Sequence, residues 1–152
     1  MKTKIILLLL SINFGFSQLD ENKNVIDSRL ISTNILPNKI GNFREEIKLS
    51  NKSFDTIKIF YNEQNIAKFI SVINKKSGFN NDSFHRLSSH LNIGFKLTDF
   101  LDIDNREFFY DSKMRRLIIK IYSSEIKNKL IEVQFISDYD LIKNKLPQVI
   151  NW

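Results

Sequence analysis

The clearest pattern of apolar and polar residues lies between Arg115 and Ile136. Two runs of β-branched, aliphatic and aromatic residues flank a polar, turn-forming stretch around the sequence SSEIKN, and neither run contains Pro or Gly. Such residue types are enriched in strands, and polar turn residues bound them. The pattern therefore predicts a β-hairpin, with its turn near the middle of the stretch.

Three earlier segments are also predicted as strands. Phe43–Leu49 alternates with period two, although Glu45 falls on the apolar side of the alternation, and a one-turn helix after Asn42 is the alternative. Asp55–Tyr61 places its apolar residues on one face. Ile66–Ile73 fits helical spacing and a strand about equally, and we favour a strand because the segment is rich in β-branched residues.

Capping signals predict short helices in the second half of the chain. One is an amphipathic helix over Phe84–Leu91, and another is a single turn from Thr98-Asp99 through Leu101. A polar loop is expected at residues 102–106, followed by a strand at Glu107–Tyr110. The last predicted helix begins after Ser137-Asp138 and runs through Leu146, where Pro147 stops it.

The first 17 residues have the pattern of a secretory signal peptide. Two lysines precede a short apolar run, and small residues occupy the positions before a cleavage site between Ser17 and Gln18. The apolar run is too short for a spanning helix. We therefore expect a secreted or periplasmic protein that is soluble after cleavage, with a flexible lead-in over 18–28 and one domain over 29–152. Residues 29–41 are expected to be irregular, with one short edge strand.

Composition supports one globular domain without covalent crosslinks. The chain has 152 residues, of which 42% are hydrophobic, and it contains 13 Phe and no Cys. The apolar content allows a substantial core, whereas the lack of Cys excludes disulfides and a lipid anchor on cysteine. The predicted fold is α+β, an antiparallel sheet of about five or six strands with two or three short helices. Two tandem units of a helical turn plus a hairpin are one version of this fold.

The positive charge changes the expected partners only slightly. Removal of Lys2 and Lys4 with the leader leaves 21 basic against 17 acidic residues, a formal charge of +4. An exported protein is not expected to meet nucleic acid. Its basic balance suits either polyanionic envelope material or an acidic protein, and solubility alone is the simpler explanation.

The suggestion of two units comes from a repeated layout. Ile40-Gly41 precedes two strand-like runs that end at Ile73, and Ile93-Gly94 precedes two more that end at Ile136. The segment from Ile93 to Phe100 and the strands to Ile136, about a third of the chain, resemble the BamE/SmpA-like small exported domains. This resemblance implies helical turns on one face of an antiparallel sheet, and an assembly or inhibitor module rather than an enzyme. Unlike many such domains, this chain has no cysteine for a lipid anchor, and chance similarity of two dipeptides is the alternative to duplication.

No pattern in the chain predicts catalytic, cofactor-binding or metal-binding residues. His85 and His90 lie roughly 140° apart on a helix, so they would not share a metal-binding face. The acidic stretch that includes Asp102 and Asp104 lacks the central Gly of an EF-hand loop. No GxSxG motif is present. An enzyme is therefore not expected, and a small hydrolase remains the alternative from a different class. It would need one or more of four residues near the predicted helix to meet acidic residues in a cleft: Ser83, His85, Ser88 or His90.

The remaining expectation is a non-enzymatic binding or assembly module of the cell envelope. Aromatic and arginine residues are enriched at interface hot spots. They cluster around one predicted turn, which gives Phe109, Lys113, Arg115 and Arg116 as candidate partner-binding residues. The alternative is that the aromatic side chains face the core and the cations are solvated. A proteinaceous inhibitor or immunity-type protein is the other form of this function.

Overall fold

The computed structural model describes residues 19–32, 35–48, 55–79, 99–111 and 115–145. These residues form two helices and eight strands. In chain order the elements are α1 (Lys23–Ser32), β1 (Asn38–Gly41), β2 (Arg44–Lys48), β3 (Thr56–Tyr61), β4 (Ala67–Ile73), β5 (Asp99–Ile103), β6 (Arg106–Asp111), β7 (Arg116–Tyr122), β8 (Leu130–Ile136) and α2 (Tyr139–Lys145).

All described strands belong to one antiparallel sheet in the order β1-β2-β3-β4-β8-β7-β6-β5. Each half of the chain forms a four-stranded meander, and the last strands of the two meanders pair at the centre. Seven strands have five to seven residues, and the four-residue β1 extends the sheet at one edge. The predicted α+β class with an antiparallel sheet is confirmed, and the sheet is wider than the five or six strands expected.

The hairpin predicted at Arg115–Ile136 is confirmed as β7 and β8. Leu117 pairs with Ile136 and Ile121 pairs with Glu132, and the register shifts before Tyr122. On its other side β8 pairs with β4, opposing Val72 to Val133. The strand favoured for Ile66–Ile73 is therefore confirmed, and the helical alternative is wrong. The apolar strand β4 lies at the centre of the sheet, where it forms hydrogen bonds with both β3 and β8.

The two helices pack on opposite faces of the sheet. Ile26 and Leu30 of α1 are fully buried four residues apart, and each contributes about 2 kcal/mol by leaving water. We call the surface under α1 the first face, and its core is built from alternate strand residues. That core includes Ile47, Ile57, Ile59, Ile70, Val72, Val133 and Phe135. The second face is covered in part by α2, whose Ile142 packs with Phe69, Phe108, Tyr110, Leu117, Ile119 and Ile136.

Helix α1 replaces most of the flexible lead-in predicted for residues 18–28. Asn22 caps it, because its side-chain oxygen accepts a hydrogen bond from the Asn24 amide at 2.9 Å. Asn22 also forms a β-bridge with Ile66, which fixes the start of the helix to the sheet. The segment is mostly polar, and its apolar residues Ile26 and Leu30 stabilise the helix only when they pack against the sheet.

A second correction concerns the helical turn through Leu101 and the loop at residues 102–106. These residues form β5, a two-residue turn and the start of β6. The turn residues Asp104 and Asn105 both have positive φ, at 50° and 61°. Asp and Asn tolerate this conformation, and a two-residue turn of this kind matches the twist of paired strands. Pairing with β6 therefore satisfies more backbone groups than one isolated helical turn would.

Several local predictions are confirmed: β2, β3 and β6 match predicted strands, and β1 is the expected edge strand. Helix α2 begins after Asp138, whose side chain accepts a hydrogen bond from the Leu141 amide at 2.8 Å. The predicted signal peptide, the turn at 50–53, the helix at 84–91 and residues 146–152 lie outside the described residues. None of the helices described is long and apolar enough to cross a membrane.

We predict that Gly78→Ala lowers the free energy of unfolding by about 1–3 kcal/mol. Gly78 has a φ of 73°, and an added Cβ would lie 2.9 Å from Lys129 Cγ and 3.1 Å from the Leu130 carbonyl oxygen. Gly41→Ala is the matched control, since nothing lies within 4 Å of its Cβ position. Urea denaturation measures both variants, and equal losses would contradict the argument.

Candidate functional site

The structure describes three of the four candidate partner-binding residues, and each has a different environment. Phe109 is half-buried on β6, with the Lys120 ammonium 4.7 Å from its ring centre. Arg116 is ion-paired with Asp20 at 3.0 Å. Arg115 is exposed and lies 5.5 Å from the ring of Tyr139 on α2. Lys113 lies outside the described residues, so Arg115 is the candidate that combines exposure with an aromatic neighbour.

A row of cations and aromatic rings crosses the second face. The Arg44 guanidinium lies 4.9 Å from the ring centre of Phe60. Phe60 meets Phe69 edge to face, with centroids 4.9 Å apart and an interplanar angle of 84°. The Lys145 ammonium lies 5.6 Å from the Phe69 ring. Together with the Arg115–Tyr139 pair, these contacts form the cation–aromatic array, defined as Arg44, Phe60, Phe69, Lys145, Tyr139 and Arg115.

Strand register produces one end of this array. Arg44 pairs with Phe60 across β2 and β3, and Phe60 pairs with Phe69 across β3 and β4. Residues directly opposite in neighbouring strands point to the same face, so the three side chains lie side by side. Helix α2 supplies the other end, because its buried Ile142 holds Lys145 and Tyr139 near the same face. Sequence analysis missed five of the six residues because their proximity depends on strand order.

The array is accessible at both ends. Arg44, Arg115 and Lys145 are exposed, and Tyr139 is 45% exposed. Phe60 is half-buried, whereas Phe69 is buried at 8%. A cation held over an aromatic face gains roughly 0.5–1 kcal/mol when exposed and more when desolvated. A partner that covered the array would therefore strengthen contacts that already exist.

A second polar cluster lies between α1 and the first face, where Glu45 is buried and Lys23 and Asp27 are half-buried. The Glu45 residue is only 1% exposed. Lys23 of α1 donates hydrogen bonds to Glu45 and, at 2.8 Å, to Asp27. The Tyr61 hydroxyl lies 3.4 Å from the other Glu45 oxygen, and the Lys23 ammonium lies 5.2 Å from the Tyr61 ring. This buried charge network ties the helix to β2 and β3.

Burial and neighbouring charge shift two pKa values in this network. Burial disfavours the charged form of Lys23, but hydrogen bonds and charge from Asp27 and Glu45 outweigh it, so the pKa of Lys23 lies above 10.5. Burial is also the main reason that the pKa of Tyr61 is raised far above its ordinary value, and the carboxylates of Glu45 and Asp27 add to the effect. Lys23 is thus charged and Tyr61 is neutral at physiological pH.

The network suits structural anchoring better than catalysis. Both ionised partners are engaged with each other, and the Glu45 side chain is almost closed to solvent. The sequence contained one signal of it, since Glu45 falls on the apolar side of a strand alternation. Its partner could not be found in this way, because Lys23 lies in a helix that the sequence analysis did not predict.

A second anchor joins the start of the described chain to both halves of the sheet. The Asp20 carboxylate accepts hydrogen bonds from Lys68 at 2.6 Å, Ser137 at 2.8 Å and Arg116 at 3.0 Å. Partial burial opposes its ionisation, but these hydrogen bonds and the charges of Lys68 and Arg116 hold the pKa of Asp20 below 3.8. Arg116, a candidate for partner binding, is therefore engaged within the fold.

Nothing in the described ranges forms a metal centre, because no three acidic, His or Cys side chains lie together there. The residues named for the hydrolase alternative, Ser83, His85, Ser88 and His90, lie outside those ranges. Comparisons with protein-family models, curated proteins and solved structures give no match.

We predict that Glu45→Leu lowers the free energy of unfolding by about 2–3 kcal/mol. The change leaves the Lys23 ammonium without its most deeply buried partner. Adding Lys23→Met should recover much of the loss, because replacing both ions with apolar residues removes the unpaired charge. Denaturant melts of the single and double variants measure the coupling, and strictly additive losses would show that the pair is not coupled.

We predict that Asp20→Asn loses about 1 kcal/mol of stability at neutral pH, a modest value because the site is partly exposed. A carboxylate with a lowered pKa in the folded state stabilises the protein above its unfolded pKa, and this contribution disappears as pH falls through the folded pKa. The difference between variant and wild type should therefore shrink as the pH falls through the lowered pKa of Asp20. Glu63→Gln, an exposed turn substitution, is the control, and a difference that is constant with pH would contradict the assignment.

Proposed function

We propose that this protein is an exported, non-enzymatic binding module that recognises a partner protein through the cation–aromatic array on its second face. The observation that carries the proposal is the exposed Arg115–Tyr139 pair at one end and the Arg44–Phe60 pair at the other. Aromatic and arginine side chains dominate interface hot spots because they combine large contact area with directional polar groups.

The chemistry of the array indicates the kind of partner. Its charged members are all cations, namely Arg44, Arg115 and Lys145. A partner surface with carboxylates around an apolar centre would pair with these cations and cover the rings between them. The mild basic balance of the chain agrees with an acidic protein partner in the envelope or extracellular space.

An inhibitor or immunity-type role is the same proposal with an enzyme as partner. A wide sheet fixes the spacing of side chains on its face, so little conformational entropy is lost when a partner binds. The resemblance of the second half to BamE/SmpA-like domains suggests the same role from the sequence alone, although the helical turn that it implies is strand β5 in this structure. We propose no reaction for the chain.

We also infer that the chain contains two tandem units. The support is the strand order, in which each half is a four-stranded meander ending at the centre of the sheet. Gly41 ends β1, whereas its suggested counterpart Gly94 lies outside the described residues. Two such units joined edge to edge would explain how a small domain forms a sheet of eight strands.

The experiment is affinity capture from the native envelope fraction with wild type and charge-reversed baits. Wild type should retain one stoichiometric partner. The variant with both Arg44→Glu and Arg115→Glu should bind this partner with an affinity about a hundredfold lower, because each reversed hot-spot charge lowers the affinity at least tenfold. Lys39→Glu with Lys76→Glu is the matched control, because it reverses two exposed cations outside the array.

All variants must first show the same thermal unfolding midpoint, since exposed substitutions change stability little. Retention of the partner by the Arg44/Arg115 variant would place the interface elsewhere. Failure of wild type to retain any stoichiometric partner would contradict the binding function itself.

A further inference from the structure

A polar cavity of about 710 Å³ lies at the end of the sheet where two hairpins turn. One wall is the β5–β6 turn with Asn105, and another is the loop between β7 and β8. Successive turns of a meander alternate between its ends, so these two turns lie at the same end of the second half. The described residues that line the cavity are Asn105, Glu107, Tyr122, Ser123, Ser124, Glu125, Lys127 and Asn128.

Backbone hydrogen bonds hold the walls in place. The Tyr122 amide donates to the Asn105 carbonyl at 2.9 Å, which ties the two turns together. Ser123 Oγ accepts hydrogen bonds from the amides of Glu125 and Ile126, both at 3.2 Å. The Ser123 amide donates to the Lys129 carbonyl at 2.8 Å. The loop is therefore shaped before any ligand arrives, which reduces the entropy lost on binding.

The lining offers hydrogen-bond donors and acceptors rather than a strong net charge. Asn105 and Asn128 each present a side-chain amide that can both donate and accept, and the Ser124 hydroxyl can do the same. The Ser123 hydroxyl already accepts two hydrogen bonds and can still donate one. The charges of the lining are largely balanced. Glu107 is ion-paired with Lys120 at 3.2 Å, and the same loop carries both Lys127 and Glu125. The half-buried Tyr122 packs against the first-face core and adds an aromatic ring to the wall.

We propose that this cavity binds a neutral saccharide. A ligand with many hydroxyl groups matches paired donors and acceptors, and an aromatic ring can lie against the apolar side of a sugar. A phosphate-bearing ligand would need more unpaired cations than Lys127 provides. An apolar ligand would leave the many polar groups of the wall without partners. The volume lies within the range typical of small-molecule sites, which suits a short oligosaccharide.

This proposal is independent of the cation–aromatic array. The cavity lies at one end of the second half, whereas the array crosses the second face from β2 to α2. The two sites could therefore be tested with separate variants. Saccharide binding here would give an exported protein a second contact, with glycan rather than with protein.

The test is an NMR titration of the isotope-labelled protein, purified after export from cells that express the full chain. The probes are cellotriose, maltotriose and N,N′,N″-triacetylchitotriose at millimolar concentrations, with inorganic phosphate as the anionic comparison. At least one saccharide should saturably shift the backbone amides of Asn105 and of residues 122–128. Phosphate should leave them unchanged.

Asn105→Gly combined with Asn128→Gly removes both amides while allowing the positive φ of 61° that each residue adopts. This variant should bind the responding saccharide with an affinity about tenfold lower than that of wild type, because two hydrogen bonds are lost. Asn65→Gly is the matched control, since Asn65 is exposed and has a φ of 58° in a different turn. Glu125→Gln provides a second test of the wall that leaves the turn backbone unchanged, and it should also weaken binding.

Three outcomes would overturn the proposal. The first is that none of the three saccharides shifts these amides saturably. The second is that saccharide affinity is equal in wild type and both cavity variants. The third is that phosphate binds at the same amides more tightly than any saccharide, which would identify an anion site instead.

Discussion

The pairing of β4 with β8 is the interaction on which the rest of the fold depends. Every other strand pair in the described sheet joins neighbours within one half of the chain, and this pair alone joins the two meanders. It opposes Ile70 to Phe135 and Val72 to Val133 on the first face. Each meander thereby gains a partner for the unpaired edge of its last strand. On each face, the apolar residues of the two meanders form one continuous core.

The Lys23–Glu45 ion pair fixes the position of helix α1 on the sheet. A helix packed by two fully buried residues, Ile26 and Leu30, could slide or rotate on a smooth apolar surface. One charge pair within the interface penalises such movement, because a displaced helix would leave the buried Glu45 carboxylate without its cationic partner, whereas Lys23 would keep Asp27 on its own helix. The pair therefore helps to fix the position of α1 on the sheet.

The strands and the cap of α2 could be predicted from sequence because their signals are local. The β7–β8 hairpin has turn residues between two apolar runs, and Asp138 precedes the helix that it caps. Helix α1 could not be predicted, because its burial depends on a sheet formed by later residues. β5 was mistaken for a helical turn because its pairing with β6 is what favours a strand. The cation–aromatic array could not be predicted for the same reason. Strand order brings Arg44 beside Phe60, and the packing of α2 brings Tyr139 to the same face.

The central position of β4 and β8 also constrains the order in which the chain can fold. The residues that pair between these strands are separated by about sixty positions, whereas each meander is built from near neighbours. Closing a long loop costs more entropy than closing a short one, so the meanders can form before they join. A chain that emerges from its amino terminus completes the first meander while β8 is still missing. Until β8 arrives, the apolar β4 is an open edge that can pair with another molecule, and this interval is when the protein is most prone to aggregate.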